Sequence, residues 1–96
     1  MSSYELKFTT RFKKDFKKIA FDKKKFEETK DVFDILIEFG TPGIPVEMKP
    51  HQLKGNYKGN WECHIRPDLL MIWFQIDEPA KQIYLVRIGS HSDLFK

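Results

Sequence analysis

The sequence predicts an α+β fold, with an N-terminal strand and a helical hairpin packed on a mostly antiparallel sheet. Three observations predict it. Apolar residues alternate with polar ones near the start and again after residue 60, which is strand periodicity. Between residues 12 and 39 they recur at helical spacing. Two turn signals then divide the last third into three strands, an order that places helices on one side of a sheet.

Tyr4, Leu6 and Phe8 share one face of the first strand. Thr9 or Thr10 caps the first helix, whose core stripe is Phe12, Phe16, Ile19 and Ala20. The lysines between them face water. Asp22 caps a second helix, with Phe26, Val32, Phe33, Leu36, Ile37 and Phe39 on its apolar side. Gly40 stops it, and Pro42, Gly43 and Pro45 prevent its continuation. From Met48 to Asn60 the chain is rich in Gly, Lys and Asn and reads as loop with room for a short strand. In the strand Trp61 to Arg66, Trp61, Cys63 and Ile65 point one way and Glu62, His64 and Arg66 the other. Pro67-Asp68 turns the chain into Leu69 to Ile76, a continuous apolar run suited to a central strand. Residues 77–81 form the second turn and Gln82 to Ile88 the last strand.

The chain has 96 residues, enough for one domain, expected over 1–96. It contains no apolar run of the roughly 20 residues that span a membrane, and its start lacks the apolar core of a signal peptide. Cys63 is the only cysteine, so neither an internal disulfide nor a Cys-rich zinc site is available, and a cytoplasmic location is expected. The net charge is +3, but Arg11 to Lys25 carries +6 and the rest −3. That concentration favours a polyanionic partner, although a solvated lysine face on a surface helix has the same composition.

His51, His64 and His91 are all the histidines present. The first lies in a loop, the second on the polar face of a strand, and the third just after the last strand. Arg87 interrupts an apolar strand, where a charge must be paired or face a cleft. Histidines exchange protons near neutrality, and an arginine stabilises charge on a phosphate. Together they fit the roles of metal-free RNA cleavage, a base for the 2′-OH, an acid for the leaving 5′-oxygen and a cation, although three solvated histidines are equally ordinary in a chain of this length. Asp68 is placed to orient an imidazole or bind substrate. The spacing matches no standard zinc motif, and Cys63 and His64 point to opposite faces. Trp61 and Trp73 read as core. Phe95, near His91 at an exposed end, is the better base-stacking residue.

Read as a string, residues 51 to 95 contain His51-Gln-Leu-Lys-Gly55, Tyr57-Lys-Gly59, Cys63-His-Ile-Arg-Pro-Asp68, a hydrophobic strand, Arg87-Ile-Gly-Ser-His91, and Leu94-Phe95. This closely resembles the YafQ branch of the RelE-type bacterial toxins. The order and spacing of the motifs agree, and the N-terminal strand and helix pair match the RelE/ParE-like layout. The resemblance implies a toxin of a type II toxin–antitoxin system: a ribosome-dependent messenger RNA endonuclease needing no metal or other cofactor. Its expected partners are a cognate antitoxin, messenger RNA and the ribosome, with no membrane. Position by position, His51, His64, Asp68, His91 and Phe95 match the branch's active-site residues, and Arg87 a phosphate-side arginine. The resemblance makes His51 or His64 the base and His91 the acid. Lys54 is expected at the substrate, and Lys13, Lys14, Lys17 and Lys18 at ribosomal RNA. The segment Asp22 to Phe26 matches no family motif. Two other readings remain open, a non-catalytic toxin on the same scaffold, such as a gyrase poison, and a metal-dependent nuclease.

Overall fold

The computed structural model describes residues 3–95, so the outermost residues of the expected 1–96 domain lie outside the described part. The elements are β1 (Glu5–Phe8), α1 (Thr10–Lys17), α2 (Lys23–Phe39), β2 (His51–Gln52), β3 (Trp61–Arg66), β4 (Leu69–Ile76), β5 (Gln82–Gly89) and α3 (His91–Leu94), with single 3-10 turns at Thr41–Gly43, Val46–Met48 and Gly55–Tyr57. The sheet order is β1-β5-β4-β3-β2. β1 runs parallel to β5, and every other pairing is antiparallel. The expected α+β class and mostly antiparallel sheet are therefore present. No described helix is long and apolar enough to cross a membrane.

The two faces of the sheet carry different chemistry. One face presents Cys63, Met71, Trp73, Ile83, Leu85 and Ile88 to Phe12, Val32, Leu36 and Ile44 and forms the main core. The other carries a smaller cluster of Leu70, Ile72 and Leu94, flanked by Leu53, Tyr57 and Val86. Helices cover the first face, and the second remains for a site.

The helical hairpin is held by phenylalanines. Phe8, Phe12, Phe16, Phe26 and Phe33 pack ring against ring, with centroids 5.6 to 6.1 Å apart. Thr9, rather than Thr10, caps α1: its Oγ1 accepts the Phe12 N–H at 3.1 Å. α1 ends at Lys17, so Ile19 and Ala20 lie in the following turn instead of on the helix. The chain must reverse there, because Asp22 already caps α2 through the Lys25 N–H. Ile19 still packs on the core from the turn.

On α2 the buried positions are Thr29, Val32 and Leu36. Ile37 and Phe39, expected on the apolar side, are exposed, Phe39 by 59%. The stripe set by 29, 32 and 36 turns those two positions toward solvent. Thr29 is tolerated inside because its hydroxyl donates to the Lys25 carbonyl at 2.7 Å. Gly40 ends the helix at φ 71°, and a Cβ there would sit 2.7 Å from the Tyr4 ring.

β1 pairs with β5 only as far as Leu85, so the edge of β5 beyond it needs another partner. α1 supplies it. Thr9 donates its N–H and its hydroxyl to the Leu85 carbonyl, and the Asp15 carboxylate accepts the Ile88 N–H at 3.1 Å. Between these contacts the register with β4 shifts, Ile72 pairing with Arg87 and Trp73 with Leu85. The bulge carries Val86 and Arg87 to the second face and returns Ile88 to the core. Arg87 donates to Asp15 through Nε at 2.7 Å and Nη2 at 3.2 Å. The two residues are 8% and 7% exposed. Asp15→Asn leaves the arginine buried without its counter-charge and is expected to cost about 3–5 kcal/mol. Urea unfolding measures this, and stability equal to the parent protein would contradict a structural role for the pair.

Candidate active site

The second face of the sheet assembles the residues singled out above. His51 opposes Glu62 across β2 and β3, Glu62 opposes Ile72 on β4, and Ile72 opposes Arg87 on β5. A parallel row runs from His64 through Leu70 to Gly89, just before α3 begins with His91. Successive strands lie about 4.8 Å apart, so Glu62 and Arg87, like His64 and Gly89, stand about 10 Å apart across β4.

His51 is in the short strand β2, not in a loop, and His91 opens a helical turn. The His51 and His64 rings have centroids 6.5 Å apart. His51 Nδ1 lies 2.8 Å from the Lys49 carbonyl, and Nε2 lies 3.2 Å from Glu62 Oε1. The ring nitrogens of His64 and His91 have no hydrogen-bond partner among the described residues.

α3 is a single turn held at its start from two directions. Ser90 and Asp93 form a capping box. Asp68, in the β3–β4 turn, accepts the His91 backbone N–H at 2.9 Å. Its carboxylate thus grips the backbone of the turn rather than an imidazole. The His91 ring packs on Phe95 at 5.1 Å, and Phe95 meets Tyr57 edge-on at 6.0 Å. Tyr57 Oη is 3.4 Å from Arg87 Nη1. Hydrogen bonds from Arg87 to Asp15 hold the guanidinium above its ordinary range, so it is a permanent cation. With Nε and Nη2 on Asp15, Nη1 is the nitrogen turned toward this face.

The lysines are less organised. Lys54 is exposed before the Gly55–Tyr57 turn. Lys13, Lys14, Lys17 and Lys18 are exposed on and just after α1, the helix whose inner side grips Arg87. Among the described residues no three His, Cys, Asp or Glu side chains are grouped to hold a metal ion. Trp73 is fully buried and Trp61 packs against the core, as expected.

Two residues of this site were not singled out from the sequence. Asp15 falls on the 12–16–19 core stripe, so a second charge at an apolar position was there to be paired with Arg87. Glu62 shares a strand face with His64, two residues away, and lies across from His51.

Similarities to known proteins bear on this arrangement. The profile of the family described as "Bacterial toxin of type II toxin-antitoxin system, YafQ" matches residues 4–96. The Escherichia coli (strain K12) protein named "mRNA interferase toxin YafQ" is 28% identical over 95 residues, 99% of both chains. The crystal structure of YafQ from E. coli strain BL21(DE3) superimposes with a TM-score of 0.84 at 27% identity, covering 97% of this chain and 99% of that one. YafQ in the E. coli DinJ–YafQ complex gives 0.77 at 26% identity, with the same coverage. The fold is that of a RelE/ParE-like toxin. Within that class, the chain belongs to the YafQ family of type II toxin–antitoxin toxins.

Cys63 takes no part in this chemistry. Burial, with the Glu62 carboxylate adding to it, pushes its thiol up to about 12. The folded protein at pH 8 is expected to react with iodoacetamide at least roughly 100-fold more slowly than the urea-unfolded chain. Comparable rates would show the thiol to be accessible.

Proposed function

We propose that this protein is a messenger RNA endonuclease that cuts on the ribosome, without a metal, by attack of a 2′-OH on the adjacent phosphate. The observation that carries the reading is the gathering of all three histidines with Arg87 on one face of the sheet. The name of the E. coli relative, an mRNA interferase, supports it.

In this reading His51 or His64 removes the 2′-OH proton as the new P–O bond forms. His91 protonates the departing 5′-oxygen. Arg87 Nη1 faces the phosphate whose oxygens gain charge. The products are a 2′,3′-cyclic phosphate and a 5′-hydroxyl, with no net consumption of protons. Phe95 stacks on a base beside the scissile bond. Asp68 fixes the turn that carries His91 and Phe95, and Lys54 meets the backbone of the message. The exposed Lys13, Lys14, Lys17 and Lys18 lie on the ribosomal RNA side, where a cationic helix adds non-specific affinity.

As one domain over 1–96, the protein works in the cytoplasm, where its substrate is translated. A cognate antitoxin holds it inactive, as the DinJ–YafQ complex of the relative suggests. An acidic or amphipathic segment that folds on binding suits the basic, histidine-lined face.

A purified toxin is expected to cut a message on translating ribosomes and to leave the free message largely intact. A chelator selective for transition metals, which leaves the ribosomes their magnesium, should not slow it. His91→Ala should lower cleavage by roughly 10²–10⁴-fold with the fold retained. Full activity in that variant would remove His91 from the mechanism. Intact messages with blocked DNA replication would favour the non-catalytic reading.

A further inference from the structure

One buried carboxylate stands at the heart of this face and has no role in the mechanism above. Glu62 is 4% exposed, and its Oε2 is the one buried side-chain oxygen or nitrogen without a partner among the described residues. Leaving such an atom unpaired costs about 1–3 kcal/mol. Its other oxygen meets His51 Nε2 at 3.2 Å. The second contact of His51 rests on a further strained element. Lys49 has φ 54° and ψ 53° and is the one described non-glycine residue at positive φ. Its carbonyl receives His51 Nδ1 at 2.8 Å. A strained backbone and an under-satisfied carboxylate thus converge on the same imidazole, a pairing of costs expected at functional sites.

The hydrogen-bond inventory then constrains the ring. A carbonyl only accepts, so Nδ1 carries a proton. An ionised Glu62 also only accepts, so Nε2 carries one too. With Glu62 ionised, the two requirements are met together only by the imidazolium; a neutral Glu62 would instead donate to a bare Nε2. The His51 side chain is 48% exposed, so water solvates the cation on its open side, while the buried Glu62 balances it from below.

We propose that Glu62 is a positioning residue: with the Lys49 carbonyl it holds His51 protonated on both nitrogens, making His51 a cation of the site. The base is then His64, whose ring nitrogens have no partner among the described residues and whose ring lies beside that of His51. The assignment rests on the nuclease reading above, but the protonation state of His51 does not.

The test therefore has two arms. Nitrogen-15 NMR of the imidazoles in the free protein at pH 7 should show both His51 nitrogens protonated. In Glu62→Gln one of them should lose its proton, while the backbone spectrum and thermal midpoint report an intact fold. On translating ribosomes Glu62→Gln should lower kcat by roughly 10- to 100-fold with KM changed by less than about threefold, and Glu62→Asp should restore part of it. Singly protonated His51 in the parent protein overturns the proposal, as does a Glu62→Gln variant with parental kcat. Should Glu62→Gln fail to fold, the parent spectrum and Glu62→Asp still decide: singly protonated His51 in the parent, or singly protonated His51 in Glu62→Asp with parental kcat, overturns it. A parent protein that cuts no message, yet shows doubly protonated His51, overturns the nuclease reading and leaves the pairing standing.

Discussion

The contact between Arg87 and Asp15 ties the core of this protein to its working face. A bidentate pair so buried gains little net stability, because desolvation of both charges offsets their attraction. What it provides is position. Asp15 sits on the inner side of α1 and takes two guanidinium nitrogens and the Ile88 N–H. It thereby closes the stretch of β5 edge that β1 leaves open. The same contact fixes the bulge at Val86 and Arg87 and leaves Nη1 beside Tyr57. From Tyr57 the packing continues through Phe95 to His91. Removing the pair would disturb helix, sheet edge and site together.

The two faces of the sheet divide structure from chemistry. One is filled by the helices and by the phenylalanine cluster of the hairpin. The other has only a small apolar patch, and around it stand histidines and charged side chains. The histidines are held with different firmness. His51 is fixed through both ring nitrogens. His64 projects from a strand, and His91 rides on one helical turn pinned by Asp68 and Ser90. A pinned ring beside freer ones suits the proposed division of charge, base and acid functions.

Much of this was legible in the sequence where the signal is local. The alternation in Trp61 to Arg66 correctly set His64 opposite Cys63, and Asp22 and Gly40 marked the bounds of α2. The ordered motifs from His51 to Phe95 named the histidine set. The unread parts depend on distant contacts. A strict alternation would put Arg87 on the core face with Leu85, and only the bulge turns it away. In the sequence Asp15 is one acid in a lysine run, and its partner is 72 residues on. Glu62 became a site residue only when β2 brought His51 across from it. Ile37 and Phe39 were apolar at positions that the helix rotates to solvent.

The central claim is that imidazoles and Arg87 on this face drive attack by the message's own 2′-OH. The most direct test is the chemistry of the ends left when the purified toxin cuts a message on translating ribosomes. The account predicts a 5′-hydroxyl on the downstream fragment and a 2′,3′-cyclic phosphate, or its 3′-phosphate hydrolysis product, on the upstream one. A 5′-phosphate with a 3′-hydroxyl would mean that water, not the ribose, is the nucleophile, and would contradict it.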